Sequence, residues 1–325
     1  MKPGRPVTHV TIAARRLSGA EAGLTGLSIS LGRFSHDHSR LVLWPSSKFA
    51  AAGIGSEMKI ELGVEDDEKV VWTGKVSAVY FTPEAMVIEG LAPTAALTGE
   101  RKSQTYVNQS AADVVRDLAS SVVIDDVDTT LQLDYYAVDS GRSVWGHLTD
   151  LAGLAGAEIT ISPSGGLRFV EVREVPASKK FSYGVNLLDW QLRSGNAGVP
   201  AVYAVHGAAS EAGKEKWHWI SEQSTGPATV VGAFQSQASA DALNDAASAQ
   251  AEQSVVRGRL RLIGANDLRA GDVFKLENLP GGSPGDLRAR SVTHHFSGTR
   301  GFWTDVAVQG PGAGLGVSSL PGGLS

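Results

Sequence analysis

The sequence predicts a mainly β protein carrying a small α+β insert, and three observations lead there. Apolar residues alternate with polar ones over short runs, the mark of half-buried strands. Turn residues punctuate those runs at regular intervals. Capped helical patterns are confined to a stretch between residue 103 and about residue 175.

Taken in order, Leu27, Ile29 and Leu31 alternate with Ser28, Ser30 and Gly32, which gives a strand with one buried face. Leu41-Val42-Leu43-Trp44 follows the polar break Ser35-His36-Asp37-His38-Ser39. Met58 to Leu62 and Val70 to Val76 flank the acidic turn Glu65-Asp66-Asp67-Glu68. Val79-Tyr80-Phe81 and Met86-Val87-Ile88 pair around Thr82-Pro83-Glu84. Short strands at this spacing suggest a small barrel or sandwich.

Near residue 100 the pattern changes. Ser110-Ala111-Ala112-Asp113 is a cap-like start, and Val114, Val115 and Leu118 supply a helical apolar face. A second helix is predicted after Ser143, where Val144, Leu148, Leu151 and Ala155 recur at helical steps. Glu158 to Ile161 and Leu167 to Val170 flank Ser162-Pro163-Ser164-Gly165-Gly166, a hairpin by its turn chemistry.

Strands resume with Phe181, Leu187 to Leu192 and Val202 to His206. The alanine-rich stretch Ser239 to Gln253 predicts a connecting helix. Leu260 to Gly264, Asp272 to Leu276, Arg290 to Phe296 and Phe302 to Val308 complete a second β region. The last stretch, from Gly310, is rich in Gly, Ser and Pro and lacks charge, so a flexible tail is expected. The expected divisions are 1–98, 99–178, 179–309 and the tail 310–325.

At 325 residues the chain exceeds what one core usually organises, which agrees with several domains. With 29 basic against 34 acidic residues and no Lys/Arg run, a nucleic-acid polyanion is a poor partner. Cysteine is absent, which removes disulfides, thiolate metal sites and thiol nucleophiles. Thr8, His9 and Thr11 interrupt the N-terminal apolar residues, so no secretory signal is read there. No window approaches the roughly 18–20 apolar residues of a membrane span, so synthesis in the cytoplasm without stable membrane insertion is expected.

A search for chemistry leaves the catalytic, cofactor and metal sets empty. His36 and His38 share a face if extended, but they sit in a polar break and spacing nominates no third ligand. His294 and His295 are adjacent and point to opposite faces of a strand, which suits packing. Gly207 to Glu215 is one residue too long for a phosphate loop and puts Glu215 where a hydroxyl belongs. Gly312, Gly314 and Gly316 lack the strand and helix of a dinucleotide fingerprint. Asp125, Asp126 and Asp128 lack the Gly and distal Glu of a calcium loop and read as a solvated turn. Trp217 and Trp219 share a strand face and suit a subunit interface better than a glycan platform.

Several segments, in order, resemble the phage late-control protein D and VgrG-like baseplate hub family. They are Gly74 to Val76 with Met86 to Gly90, Leu97 to Tyr106, and Asn108 to Ala119. They continue through Asp139-Ser140 with Trp145, Leu148, Leu151 and Ala152, then Gly156 and Leu167 to Phe169. Leu268-Arg269-Ala270-Gly271-Asp272-Val273 and Ser291 to Phe296 close the series, with Ala270 in place of the family's proline. The match covers about residues 70 to 308; the first seventy resemble the family only in texture.

The resemblance implies two tail-tube-like β-barrels with an α+β domain between them, and no enzymatic activity or cofactor. It implies a homotrimer that adapts a sixfold tail tube to a threefold spike in a phage tail or contractile injection particle. Implied partners are the tail tube protein, a separate spike protein and other baseplate components. Leu315, Val317, Leu320 and Leu324 are then candidate spike-tether residues. The alternative reading is a cell-wall-binding or wall-degrading tail component, though no carboxylate or metal set is spaced for cleavage.

Overall fold

The computed structural model describes residues 4–173, 175–195 and 255–310, together with the backbone of strands at 203–210, 217–220 and 228–231. The helix expected over Ser239–Gln253 and the tail beyond Gly310 lie outside the described residues. The N-terminal part runs β1 (Pro6–Ile12), β2 (Arg15–Ser18), the single turn α1 (Gly19–Ala22), β3 (Leu24–Gly32) and β4 (His38–Leu43). It continues with β5 (Glu57–Val64), β6 (Asp67–Phe81) and β7 (Met86–Leu91).

A 3-10 turn and α2 (Ala96–Gly99) then lead into β8 (Gln104–Ser110), α3 (Ala111–Leu118), β9 (Ile124–Asp128) and β10 (Gln132–Val138). After these come α4 (Val144–Ala155), β11 (Ala157–Ile161) and β12 (Leu167–Glu171). The C-terminal part comprises β13 (Lys179–Ser182), β14 (Leu187–Ser194), β15 (Tyr203–Ser210), β16 (Trp217–Ile220) and β17 (Ala228–Val231). Last are β18 (Val256–Ile263), β19 (Val273–Glu277), β20 (Asp286–Ser297) and β21 (Gly301–Gly310).

Local rules account for most of these elements. Leu27, Ile29 and Leu31 are buried and the serines between them are not, so β3 follows its alternation. The hydroxyl of Ser110 accepts from the amide of Asp113 at 3.1 Å, and that of Ser143 from Gly146 at 3.1 Å, which fixes where α3 and α4 start. Gly156 ends α4 in the left-handed region at φ 59°, a conformation that costs glycine little. The two runs expected at Val70–Val76 and Val79–Phe81 are one strand, β6, with a bulge at Ser77. The acidic residues Asp125, Asp126 and Asp128, expected in a turn, lie on β9, where parallel pairing with β12 sets Arg168 beside Asp126 at 3.2 Å.

Two hydrophobic clusters form. One draws on β1 to β7, β13, β14 and β18 to β21, while the other has its buried residues between Leu97 and Phe169, from α2 to β12. The mainly β class with a small α+β insert therefore holds.

The barrel geometry differs from expectation. The described strands close no barrel; the largest sheet follows one open path, β14-β18-β21-β20-β3-β4-β7-β6-β5-β1-β2, with β13 and β19 joined beside it. The halves fuse because β20 pairs with β3, from Ser291 opposite Gly32 to Ser297 opposite Gly26. Two edges that would otherwise leave backbone donors and acceptors unpaired satisfy each other there.

Along this path the chain repeats itself. In the first half β3 neighbours β4, β4 neighbours β7, β7 neighbours β6, and β6 neighbours β5. In the second half β14, β18, β21, β20 and β19 stand in that same order, with every one of these pairs antiparallel. The bulges repeat as well. A residue is skipped between Leu24 and Gly26 in β3 and between Leu187 and Asp189 in β14. Another is skipped between Val76 and Ala78 in β6 and between Ala289 and Ser291 in β20. The two halves share one design.

Trp72 anchors the first half and is 1% exposed. Its indole occupies space left by two glycines: a Cβ on Gly90 would lie 2.6 Å from Trp72 Cη2 and 2.3 Å from Met58 Cε. Gly90→Ala is therefore expected to destabilise the protein by about 1–3 kcal/mol through overpacking. A denaturant midpoint unchanged from the parent would refute this.

Candidate functional site: sheet edges and a buried polar junction

The strands β14-β18-β21-β20-β3-β4-β7-β6 form an eight-stranded antiparallel run with two dissimilar faces. The inner face holds the core: Leu260, Val306, Val292, Leu31 and Leu41 are all nearly inaccessible. The outer face is polar. On β18, Arg257, Arg259 and Arg261 are exposed at alternate positions, and Arg261 meets Asp305 at 2.7 Å. His295 stacks on Trp303 with ring centroids 5.0 Å apart, and Arg40 reaches Glu89 on the neighbouring strand at 3.8 Å. A sheet with one dry and one wet face suits a wall that encloses water-filled space.

At each end of this run a stretch of strand edge is left uncovered among the described residues. Apart from a bridge at Leu187, β14 pairs only with β18, and Ala78–Phe81 pairs only with β7, because β5 begins at Glu57, opposite Lys75, and the Val76 backbone bonds Gly55 and Ser56. Apolar side chains crowd these ends: Phe81 is 60% exposed, Leu188 51% and Val185 67%. Exposed strand edges flanked by apolar residues invite pairing with another chain.

Behind the sheet lies a polar junction. Glu158, on β11 of the insert, accepts from the guanidinium groups of Arg33 and Arg288, the second at 3.1 Å. Arg33, just past β3, also donates to Gln309 on β21 at 3.1 Å. All three charged side chains are almost fully enclosed. One carboxylate thus ties the insert to both halves. The motif Leu268 to Asp272 forms the wall beside it. Gly271 stands at φ 92°, and a Cβ there would lie 3.1 Å from Glu158 Oε2. Asp272 accepts from the amide of Arg269 at 3.0 Å and from Lys179 at 2.7 Å.

A second buried set involves Asp37, Arg269 and His294. Burial pushes the Asp37 carboxyl up to about 7, against the stabilising amide of Gly32 at 3.1 Å and the charge of Arg269. Burial likewise depresses His294 to about 3, with Arg269 adding to the effect. His294 packs against Phe302 and hydrogen-bonds Thr304 at 2.9 Å. Arg269 donates to the carbonyls of Val71 at 2.5 Å and Val70 at 3.3 Å, which joins the second half to the first.

The histidines resolve into structural roles. His36 sits between the hydroxyls of Thr94 (3.1 Å) and Thr98 (2.8 Å) with Trp145 against its ring, whereas His38 is exposed. Among the described residues no group of three or more His, Asp or Glu is placed to hold a metal, and no helix is long and apolar enough to cross a membrane. Trp217 and Trp219 lie on β16, opposite Ser210 and Ala208 of β15. Leu315, Val317, Leu320 and Leu324 lie outside the described residues. Sequence reasoning missed Glu158 and its two arginines. Their only signal was Glu158 itself, the one charged residue in the first strand of the insert hairpin.

The fold is a duplicated antiparallel sheet with stretches of uncovered strand edge among the described residues. No family model matches the sequence, and no curated protein is significantly similar to it. Solved structures do share its fold. A tail protein from Neisseria meningitidis superposes with a TM-score of 0.72 at 13% identity, over 96% of this chain and 98% of that one. A 43 kDa tail protein of a Shewanella oneidensis prophage gives 0.69 at 12% identity, over 95% and 99%. An Escherichia coli component of the type VI secretion system, described as similar to T4 bacteriophage tail proteins, gives 0.56 at 8% identity, over 88% and 73%. The likeness read from the sequence motifs holds at the level of the fold, which is that of tail proteins.

Proposed function

We propose that this chain is a structural hub of a phage tail or contractile injection particle, in which three copies form a ring between a sixfold tail tube and a threefold spike. The observation that carries the reading is the repeated strand order. Three copies of a chain with two like halves offer six near-equivalent units, so one ring can meet sixfold symmetry on one side and threefold on the other. Three eight-stranded runs closed edge to edge would make a wall about 50 Å across at ordinary strand spacing and tilt. Its lining would be the polar face with Arg257, Arg259 and Arg261.

In this reading the first and second β regions (1–98 and 179–309) are the two units, and the insert (99–178) braces them from outside the ring. The tail 310–325 tethers a separate spike protein through Leu315, Val317, Leu320 and Leu324, and Trp217 and Trp219 serve a subunit contact. The chain is made in the cytoplasm and meets the tube and other baseplate components during particle assembly.

Sedimentation mass with end-on electron microscopy tests the hub. A three-chain particle with six lobes is expected, and removal of residues 310–325 should leave that ring intact while abolishing spike recruitment. A two-chain or four-chain particle would discard the reading, as would hydrolysis of purified peptidoglycan by the chain.

A further inference from the structure

The internal repeat makes one contact within the chain a template for a contact between chains. Matching the bulges sets β3 against β14, so that Gly26 corresponds to Asp189, Ile29 to Leu192 and Gly32 to Gly195. It sets β20 against β6, so that Ser291 corresponds to Ala78, Val292 to Val79 and His294 to Phe81. In the chain's own seam, β20 and β3 are hydrogen-bonded neighbours, with Ser291 opposite Gly32, Val292 opposite Leu31 and His294 opposite Ile29. Their counterparts, Ala78–Phe81 of β6 and strand β14, lack such a neighbour among the described strands, since β5 covers that side of β6 only as far as Lys75.

Burial differs as an interrupted seam requires. Leu27, Ile29, Val292 and His294 in the formed seam are almost inaccessible. Their counterparts Trp190, Leu192 and Val79 are only partly covered, and Phe81 is open. Polarity also permits the join. Eight strands related by antiparallel steps leave β14 and β6 running in opposite directions, so a copy added at either end continues the antiparallel order.

We propose that Ala78–Phe81 of one copy adds as a strand neighbour to Leu192–Gly195 of the next, in the register of the β20–β3 seam. This rests on the trimeric hub reading and assigns its contact residue by residue. Ala78 then faces Gly195 of the partner subunit, Val79 faces Ser194 of the partner subunit, and Tyr80 faces Arg193 of the partner subunit. Phe81 covers Leu192 of the partner subunit on the dry face. On the wet face the partner subunit's Arg193 comes beside Tyr80, whose hydroxyl donates to Glu89 at 3.2 Å, a carboxylate that Arg40 of the same copy already approaches at 3.8 Å. A slip of one residue would turn Phe81 toward the polar face, which fixes the register.

The natural absence of cysteine makes the test clean. Residues directly opposite across an antiparallel pair have Cα atoms about 4.5–5.5 Å apart, within reach of a disulfide. Within one copy Val79 and Ser194 are separated by the width of the run, about 30 Å at ordinary strand spacing, so any bond between them joins two copies. The doubly substituted V79C/S194C chain should migrate, under mild oxidation without reductant, as a three-chain species with nothing larger, because the ring closes. Tyr80→Cys with Arg193→Cys should do the same, whereas Val79→Cys with Asp189→Cys, far out of register, should not.

Melting curves of the reduced variants guard against misfolding, and sedimentation separates the two ideas. A three-chain particle in which neither in-register pair crosslinks overturns the strand pairing and leaves the hub standing. Any other mass, with no crosslink, overturns both.

Discussion

Glu158→Gln is expected to lower the unfolding free energy by about 3–5 kcal/mol, because it leaves two enclosed guanidinium groups without their counter-charge. Arg33 and Arg288 both converge on this carboxylate, and their exposed fractions of 10% and 12% leave little water to replace it. The amide would keep one acceptor but turn an N–H toward the second arginine, so the isosteric change does not rescue the contact. The loss should also loosen the insert, since Glu158 is its main charged tie to both halves. Urea unfolding of parent and variant measures the cost, and amide exchange over α4 and β11 reports the loosening. The paired surface residue Asp126 provides the contrast: its bridge to Arg168 is nearly half exposed on both sides, so Asp126→Ala should cost under about 1 kcal/mol. Equal costs for the two substitutions would show that the junction contributes no more than a surface pair.

Asp37→Asn is expected to change the shape of the pH–stability curve. The native Asp37 carboxyl titrates near 7 instead of its ordinary 3.8, so between those values the folded chain holds a proton that the unfolded chain has released. Stability attributable to this group therefore falls as pH rises through that window. His294 works in the opposite sense. Its native value near 3 lies below its ordinary 6.5, so in that window the unfolded chain holds the extra proton and stability rises with pH.

Each slope approaches about 1.4 kcal/mol per pH unit, and the two nearly cancel from about pH 4 to 6.5 in the parent. Asparagine keeps an oxygen for the amide of Gly32 but cannot ionise. With the falling limb removed, the variant should gain a few kcal/mol between pH 4 and 6.5 relative to the parent's profile. Thermal melts of both proteins across that range give the comparison, and parallel profiles would show that Asp37 stays ionised in the native protein.

Much of the architecture was legible because it obeys short-range rules. The serines that cap α3 and α4, the alternation in β3, and the hairpin around Ser162–Gly166 each depend on residues within a few positions. His294 and His295 followed from alternation alone, one buried and the other on the outer face. The acidic run at Asp125–Asp128 failed for the opposite reason: its strand exists because β12, forty residues later, pairs with it. Glu158 was invisible for the same cause, as its partners stand 125 and 130 positions away. The candidate site lay still further from view. A strand edge is defined by which neighbour is missing, and no local pattern records a missing neighbour.

The sequence by itself determined a mainly β chain with an α+β insert, because alternation, caps and turns are local and their energies are settled within a few residues. Only the tertiary structure decided that the β regions share one strand order, fuse at β3 and β20, and leave Ala78–Phe81 of β6 and the outer side of β14 uncovered among the described residues. Strand pairing joins residues up to 271 positions apart, as at Gly26 and Ser297, and its hydrogen bonds are made by backbone atoms that every residue carries alike. Side-chain patterns therefore announce that a strand exists without naming the strand beside it.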